Sequence, residues 1–290
     1  LGSNYLRPIN YYENRGSAQC KTCVMLASLN TPGEMRIYAK RSRNHTELMF
    51  KNLNIPIKVK KEKKIDCIKT SSPNLIQSYN LNIPGDISSA AFFIVLTLLT
   101  KNSQLTLKNI NLNPTRLGIL KILKKMGANI KTKNKKIQEG EEFGDIIVKS
   151  TNSLKSINCP SSFNSSAIDE FLIIFLVAAK SKGISYFKNL SELNKKESPR
   201  LKLGSKILNM IGVKTKVTEN SIKIYGNPNL SLSKDYEIKN YLKDHRIMAM
   251  CTIAALTLGG KWKIYDPKSI KTSFPSFAQI LKKNFRVKLI

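Results

Sequence analysis

Histidine, tryptophan and carboxylates are scarce in this sequence. It has two histidines, His45 and His245, and one tryptophan. Neither histidine has Cys, Asp or Glu company at metal-ligand spacing, so no metal site is expected. No Gly-rich phosphate loop or dinucleotide fingerprint occurs, and no cofactor is expected. The five cysteines, at 20, 23, 67, 159 and 251, are odd in number and irregularly spaced. They do not form a disulfide framework, and a reducing cytoplasm is the expected location. Cys20 and Cys23 make a C-x-x-C inside an apolar helical run without a second pair, so both are expected to pack in a core. No apolar run reaches the roughly 18 residues a membrane span requires. The longest, 171–179, suits a buried helix. Leu1-Gly2-Ser3-Asn4-Tyr5 has neither the basic start nor the apolar stretch of a secretory signal. The first residue is not Met, and the expectation is a trimmed chain or a piece of a longer one.

Negative charge is the other shortage. Against 19 Asp and Glu stand 49 Lys and Arg, a formal charge of +30. Only nine of these are Arg, and the lysine excess travels with many Asn and Ile, as in a compositionally biased genome. Such a balance favours anionic partners, although most of it reads as solvated surface. A nucleic-acid binder is the rival class and predicts steeply salt-dependent affinity. The basic stretches 58–64 and 131–136 lack the interleaved aromatics that stack on single strands, so no nucleic-acid partner is expected.

What is present is a repeat. Four segments open with a residue able to cap a helix and continue into an apolar helical run: Ser17-Ala18-Gln19, Ser88-Ser89-Ala90, Ser165-Ser166-Ala167 and Asp244-His245-Arg246. They lie roughly 70 to 80 residues apart. Each run is followed by a strand-like stretch, at 35–38, 105–110, 184–187 and 261–265. Second helices then begin near His45, Pro114, Glu197 and Phe274. Gly127 and Gly212 suit left-handed helix ends, and alternating strands follow at 129–131, 145–149, 213–217 and 221–225. The expected fold class is α/β (α+β), built from βαβαββ units that must pack together to bury their faces. Pro84-Gly85-Asp86 after a polar, extended stretch marks a boundary, giving expected domains 1–83 and 84–290.

Helix starts bind anions through free N–H groups and partial positive charge. Arg43, Arg116, Lys196, Arg200 and Arg246 sit at such starts, with Asp169 and Glu197 in similar positions. If the units converge, these residues form an anion-binding cleft in which carboxylates stay ionised and act as bases. Plainer readings remain open. Asp169-Glu170 could simply favour its helix start, Glu197 and Arg200 could be a surface pair at i,i+3, and Arg116 could be an ordinary first-turn residue.

Several runs together carry a family resemblance. They are Gly16-Ser17-Ala18-Gln19, Ser42-Arg43-Asn44-His45-Thr46-Glu47, Pro84-Gly85-Asp86-Ile87-Ser88-Ser89-Ala90, Leu112-Asn113-Pro114-Thr115-Arg116, Ile168-Asp169-Glu170, Lys196-Glu197-Ser198-Pro199-Arg200, Asp244-His245-Arg246 and Thr272-Ser273-Phe274-Pro275. In this order and spacing the sequence resembles the 5-enolpyruvylshikimate-3-phosphate synthases, and Ser-Ala-Gln resembles the glyphosate-tolerant type. The resemblance implies an inside-out α/β barrel fold of two domains with three βαβαββ units each and a cleft between them. Four of the six units are expected here. It implies transfer of the enolpyruvyl group of phosphoenolpyruvate to the 5-hydroxyl of shikimate 3-phosphate, without a cofactor, by a monomer when full length.

By resemblance, Ser17, Ala18, Gln19 and Arg43 hold the shikimate phosphate and Lys196 assists. Asp169 binds the hydroxyls and acts as base, Glu197 exchanges the C3 proton, and Gln19, Arg200 and Arg246 hold phosphoenolpyruvate. Asp169, Glu197 and Lys196 are thus the expected catalytic residues. Pro199 stands where Asp is usual, and Leu172 where Pro is common, which bears on local shape. Lys271 is one residue off a family lysine and is left without a role. The family's N-terminal Lys-Ser loop, Asn-Ser-Gly-Thr turn and Arg-Pro stretch are absent, so these residues alone are expected to be inactive. The sister enzyme acting on UDP-N-acetylglucosamine shares the fold and is the near alternative. A non-catalytic remnant is the third reading.

Overall fold

The computed structural model describes residues 6–63 and 65–285. The outer ends of both expected domains, and Lys64 of the first basic stretch, lie outside the described residues. The first unit runs β1 (Asn10–Glu13), α1 (Ala18–Ala27), β2 (Glu34–Lys40), α2 (His45–Asn52), β3 (Ile57–Lys61) and β4 (Ile65–Ser71). Its sheet has the order β1-β2-β4-β3, with β1 parallel to β2 and the other pairs antiparallel.

The same plan recurs. The second unit has α3 (Ile87–Leu99), β5 (Gln104–Asn111), α4 (Gly118–Lys125), β6 (Asn129–Gln138) and β7 (Glu141–Lys149). Its strand order is β5-β7-β6, and a parallel bridge between Gly85 and Ile110 stands where β1 stood. The third has α5 (Asn164–Ala167), α6 (Phe171–Ala179), β8 (Gly183–Phe187), α7 (Arg200–Met210), β9 (Thr215–Val217) and β10 (Ile222–Gly226). Here parallel bridges from Lys155 and Asn158 replace the leading strand. The last comprises β11 (Leu232–Ile238), α8 (His245–Leu258), β12 (Gly259–Ile264) and α9 (Phe277–Phe285), with β11 parallel to β12.

Burial sorts the helices. Every residue of α6 is buried, as is nearly all of α3. A helix that is apolar all round belongs inside. With α8 these two pack on one another at the centre, and the sheets lie outside. The second helices are amphipathic: α4 buries Ile119, Leu120, Ile122 and Leu123 and exposes Lys121, Lys124 and Lys125. The core around α3, α6 and α8 draws on residues 87–281, while Met25, Ile37, Ala39, Phe50, Ile55 and Ile68 form a separate, smaller core.

Several sequence expectations shift in detail. The second opening caps two residues earlier, because Asp86 rather than a serine accepts from Ser89 N. The third is split: α5 stops after four residues, and the chain turns at Asp169-Glu170 before α6. Cys20 and Cys23 are exposed rather than packed in a core, since α1 turns Lys21 and Met25 inward and the cysteines lie off that face. No described helix is long and apolar enough to cross a membrane.

Candidate functional site

The starts of α1, α2, α7 and α8, and the break before α6, open onto one cleft of about 730 Å³. Ser17, Ala18, Gln19, Arg43, Asp169, Lys196, Glu197, Arg200 and Arg246 all line it, so the structure brings all nine sequence-selected residues together. Seven cationic side chains face three carboxylates there, so its net charge is positive.

Each side chain is set by local structure. Before α1, Gly16 adopts φ +83, a left-handed conformation that favours glycine. The buried Glu13 carboxylate accepts from Arg15 N at 2.9 Å and Gly16 N at 2.6 Å, fixing that turn. Ser17 caps α1 by accepting from Cys20 N at 3.2 Å. Asp244 caps α8, accepting from Arg246 N at 2.9 Å, and so aims the first turn that carries Arg246.

Asp169 is the electrostatic centre. It pairs directly with Arg43, and Lys196 Nζ, Arg200 Nη1 and Arg116 Nη1 lie at 3.6, 3.7 and 3.8 Å. Burial alone would push its carboxyl up, but Arg43, Arg246, Lys196 and Arg116 hold it at about 2. It is therefore ionised at neutral pH. Neither Asp169 nor Glu170 caps α6; the first faces the cations and the second hydrogen-bonds Ser88. Glu170 is fully buried, which pushes its carboxyl up against the opposing pull of Arg246, 4.0 Å away, and Arg116.

Arg200 is 2% exposed, so the surface-pair reading fails on its side. Its Nε donates to Asp244 Oδ2 at 2.9 Å, and its Nη2 reaches Glu197 Oε2 at 2.5 Å. The Glu197 side chain is 57% exposed and faces the open cleft. Burial lowers the pKa of His245, with Arg246 adding to the effect. Arg116, plain by its spacing, is buried and donates to Asp86 Oδ1 at 2.9 Å and Ser88 Oγ at 2.6 Å. The sequence reading also missed Arg15, Lys40 and Ser42 in the lining. The basic flank of the Ser-Ala-Gln turn and the β2 end was visible in the sequence, but nothing there told cleft lysines from surface ones.

Repeated α/β units whose helix starts converge on one cation-lined cleft define the class of this protein. Comparison with known proteins gives the particular family. The chain belongs to the EPSP synthase (3-phosphoshikimate 1-carboxyvinyltransferase) family, whose model matches residues 2–281. It is 36% identical over 284 residues to the 3-phosphoshikimate 1-carboxyvinyltransferase of Thermodesulfovibrio yellowstonii, covering 97% of this chain and 64% of that protein. The enzyme of the same name from Caldicellulosiruptor saccharolyticus is 38% identical over 282 residues, with 97% and 64% covered. This chain thus spans 64% of the length of these relatives. Among solved structures, EPSP synthase from Acinetobacter baumannii superposes with a TM-score of 0.86 at 33% identity, covering 96% of this chain and 63% of that one. The enolpyruvyl transferase NikO from Streptomyces tendae has a TM-score of 0.70 at 12% identity, covering 97% of this chain and 65% of that one, which establishes the shared fold alone.

Proposed function

We propose that this chain carries the shikimate 3-phosphate side, and part of the phosphoenolpyruvate side, of an enolpyruvyl transfer site. The observation that carries the reading is the gathering of nine family-motif side chains in one cleft around an ionised Asp169. Both substrates are anions, and paired guanidinium and ammonium donors are what such groups need. Ser17, Ala18, Gln19, Arg43 and Lys196 hold the shikimate phosphate. Asp169 binds the ring hydroxyls and takes the proton of the 5-hydroxyl as its oxygen adds to C2 of phosphoenolpyruvate. Glu197 gives a proton to C3 in that step and recovers one when the tetrahedral intermediate expels phosphate. Gln19, Arg200 and Arg246 clamp the phosphoenolpyruvate, and their preorganised charge stabilises the intermediate.

Residues 1–83 and 84–290 act as two domains flanking the cleft, a division supported by the two separate cores. The full-length protein is a monomer in the cytoplasm. Five free cysteines fit a reducing compartment. Calorimetry with shikimate 3-phosphate, phosphoenolpyruvate and UDP-N-acetylglucosamine tests the reading. Binding of the first two, abolished by Asp169→Ala for shikimate 3-phosphate, is expected. Binding of the UDP-sugar instead would move the chain to the sister chemistry, and binding of none would overturn the assignment.

A further inference from the structure

Beside the turn that carries Arg43 lies a buried ion pair to which the proposed chemistry assigns no part. Lys21, on α1, is 3% exposed. Its Nζ lies 2.6 Å from Glu47 Oε1 on α2, whose side chain is also nearly inaccessible. The other Glu47 oxygen, Oε2, is buried without a hydrogen-bond partner among the described residues. Lys21 lies four residues before Met25 on the inward face of α1, a position where an apolar side chain would serve packing.

Stability is a poor reason to keep such a pair. Apolar replacement of buried ion pairs is often neutral or stabilising, because desolvation offsets the attraction. Joining α1 to α2 is a poor reason too, since the Thr22 and Thr46 hydroxyls already bond across the same two helices at 2.6 Å. What the ammonium does beyond this is reach out of the pair. It donates at 2.8 Å to the backbone carbonyl of Arg43. A lysine has three donors and no acceptor, so it can hold a carboxylate and a carbonyl together. One side chain thereby ties the helix that begins with Ser17-Ala18-Gln19 to the turn that carries Arg43.

We infer that Lys21, braced by Glu47, is a positioning residue: it fixes the Arg43 backbone and thereby aims the Arg43 guanidinium at Asp169 and at the phosphate of the sugar-like substrate. This rests on the function proposed above for the substrate, whereas the aim at Asp169 stands on geometry alone.

The test replaces the pair by apolar side chains, Lys21→Met with Glu47→Leu, in the 290-residue chain. Two readouts are taken: the titration midpoint of the Asp169 carboxyl by carbon NMR, and the affinity for shikimate 3-phosphate by calorimetry. With Arg43 released, the midpoint should rise from about 2 towards the ordinary carboxylate range. Affinity should fall about tenfold or more, because a small misplacement of a binding group is costly. Thr22→Val with Thr46→Val cuts the neighbouring tie but leaves Lys21 in place, and both readouts should stay at their original values. Should the apolar pair variant not fold, Lys21→Gln with Glu47→Gln takes its place. Its two amides can bond each other, but the shorter side chain on α1 no longer reaches the carbonyl, and the same changes are expected. An unchanged Asp169 midpoint in a folded pair variant overturns the inference, as does an equal change in the threonine variant. If the unsubstituted chain binds no shikimate 3-phosphate while the midpoint moves as expected, the functional reading falls and the positioning role stands.

Discussion

Arg43 and Asp169, 126 residues apart in sequence, pair directly across the cleft. They come from units with separate cores, so this contact joins the two halves of the protein through its site. On the function proposed above, a substrate phosphate competes with Asp169 for the same guanidinium. That reading makes Arg43, the first of the cations that hold the Asp169 pKa down, the group whose movement would raise the carboxylate's basicity.

Replacement of Arg43 should therefore act twice. In Arg43→Gln the Asp169 midpoint should climb from about 2. Shikimate 3-phosphate affinity should drop by about 2–3 kcal/mol, the loss of a charge-assisted hydrogen bond. Carboxyl NMR and calorimetry on the same variant would check both. A lower affinity with an unmoved midpoint would contradict the pairing.

Asp244 should prove the costliest single carboxylate. It neutralises the buried Arg200, accepts from Ser198 Oγ at 2.7 Å and caps α8. Asp244→Ala leaves the buried Arg200 Nε and the Ser198 hydroxyl without their acceptor, with Glu197 and Asp169 still at the Nη atoms, and a loss of about 2–3 kcal/mol is expected in urea unfolding. Phosphoenolpyruvate binding should weaken with it, because Arg200 and the first turn of α8 both lose their anchor.

Acid should unfold the protein in a definite window. Asp169, Asp86 and Asp244 all have depressed carboxyl pKa values, so the stability they contribute is complete above the unfolded value near 4. It drains away as pH falls through the folded values. Asp169 alone accounts for about 2 kcal/mol between roughly pH 4 and 2. Glu170 has the opposite sign: its pKa is raised, and its contribution is lost as pH rises through the folded value. Chemical unfolding of Asp169→Asn across this range should show a flatter acid limb.

Gly118 should not tolerate a methyl group. A Cβ there would lie 2.5 Å from Ser166 Oγ and 2.6 Å from the Ser166 carbonyl carbon, where α4 packs on α5. Gly118→Ala should cost about 1–3 kcal/mol in thermal unfolding. Because α5 leads into Asp169, shikimate 3-phosphate binding should weaken beyond what the stability loss accounts for.

Thiol chemistry should separate the two exposed cysteines from the two most deeply buried of the five. Cys20 and Cys23 are exposed, whereas burial pushes Cys159 up to about 11 and Cys251 up to about 12. A maleimide should modify the first two readily and leave the latter two untouched. Cys20 lines the cleft, so its labelling should block shikimate 3-phosphate and be slowed by it.

The repeat and the site were legible because both are written in local signals. Ser17 and Asp244 cap as their spacing indicated, and Gly127 and Gly212 take positive φ where helices end. What stayed hidden depends on partners far away in sequence. Arg116 reads as an ordinary first-turn residue until Asp86 and Asp169 are seen around it. Cys20 and Cys23 were misjudged because an apolar run suggests burial without saying which side of a marginally amphipathic helix faces in. Lys21 at an inward position breaks the apolar pattern, and only Glu47, 26 residues on, explains it.

The inside-out arrangement also separates two kinds of surface. The chemistry sits at the ends of helices wrapped in apolar neighbours, while the lysine surplus lies on outer strands such as β6, where Lys131, Lys133, Lys135 and Lys136 are all exposed. A further lysine on such a strand therefore adds charge without touching the core or the cleft lining. The exterior sets how much charge the molecule carries, and the helix starts set where charges of both signs meet.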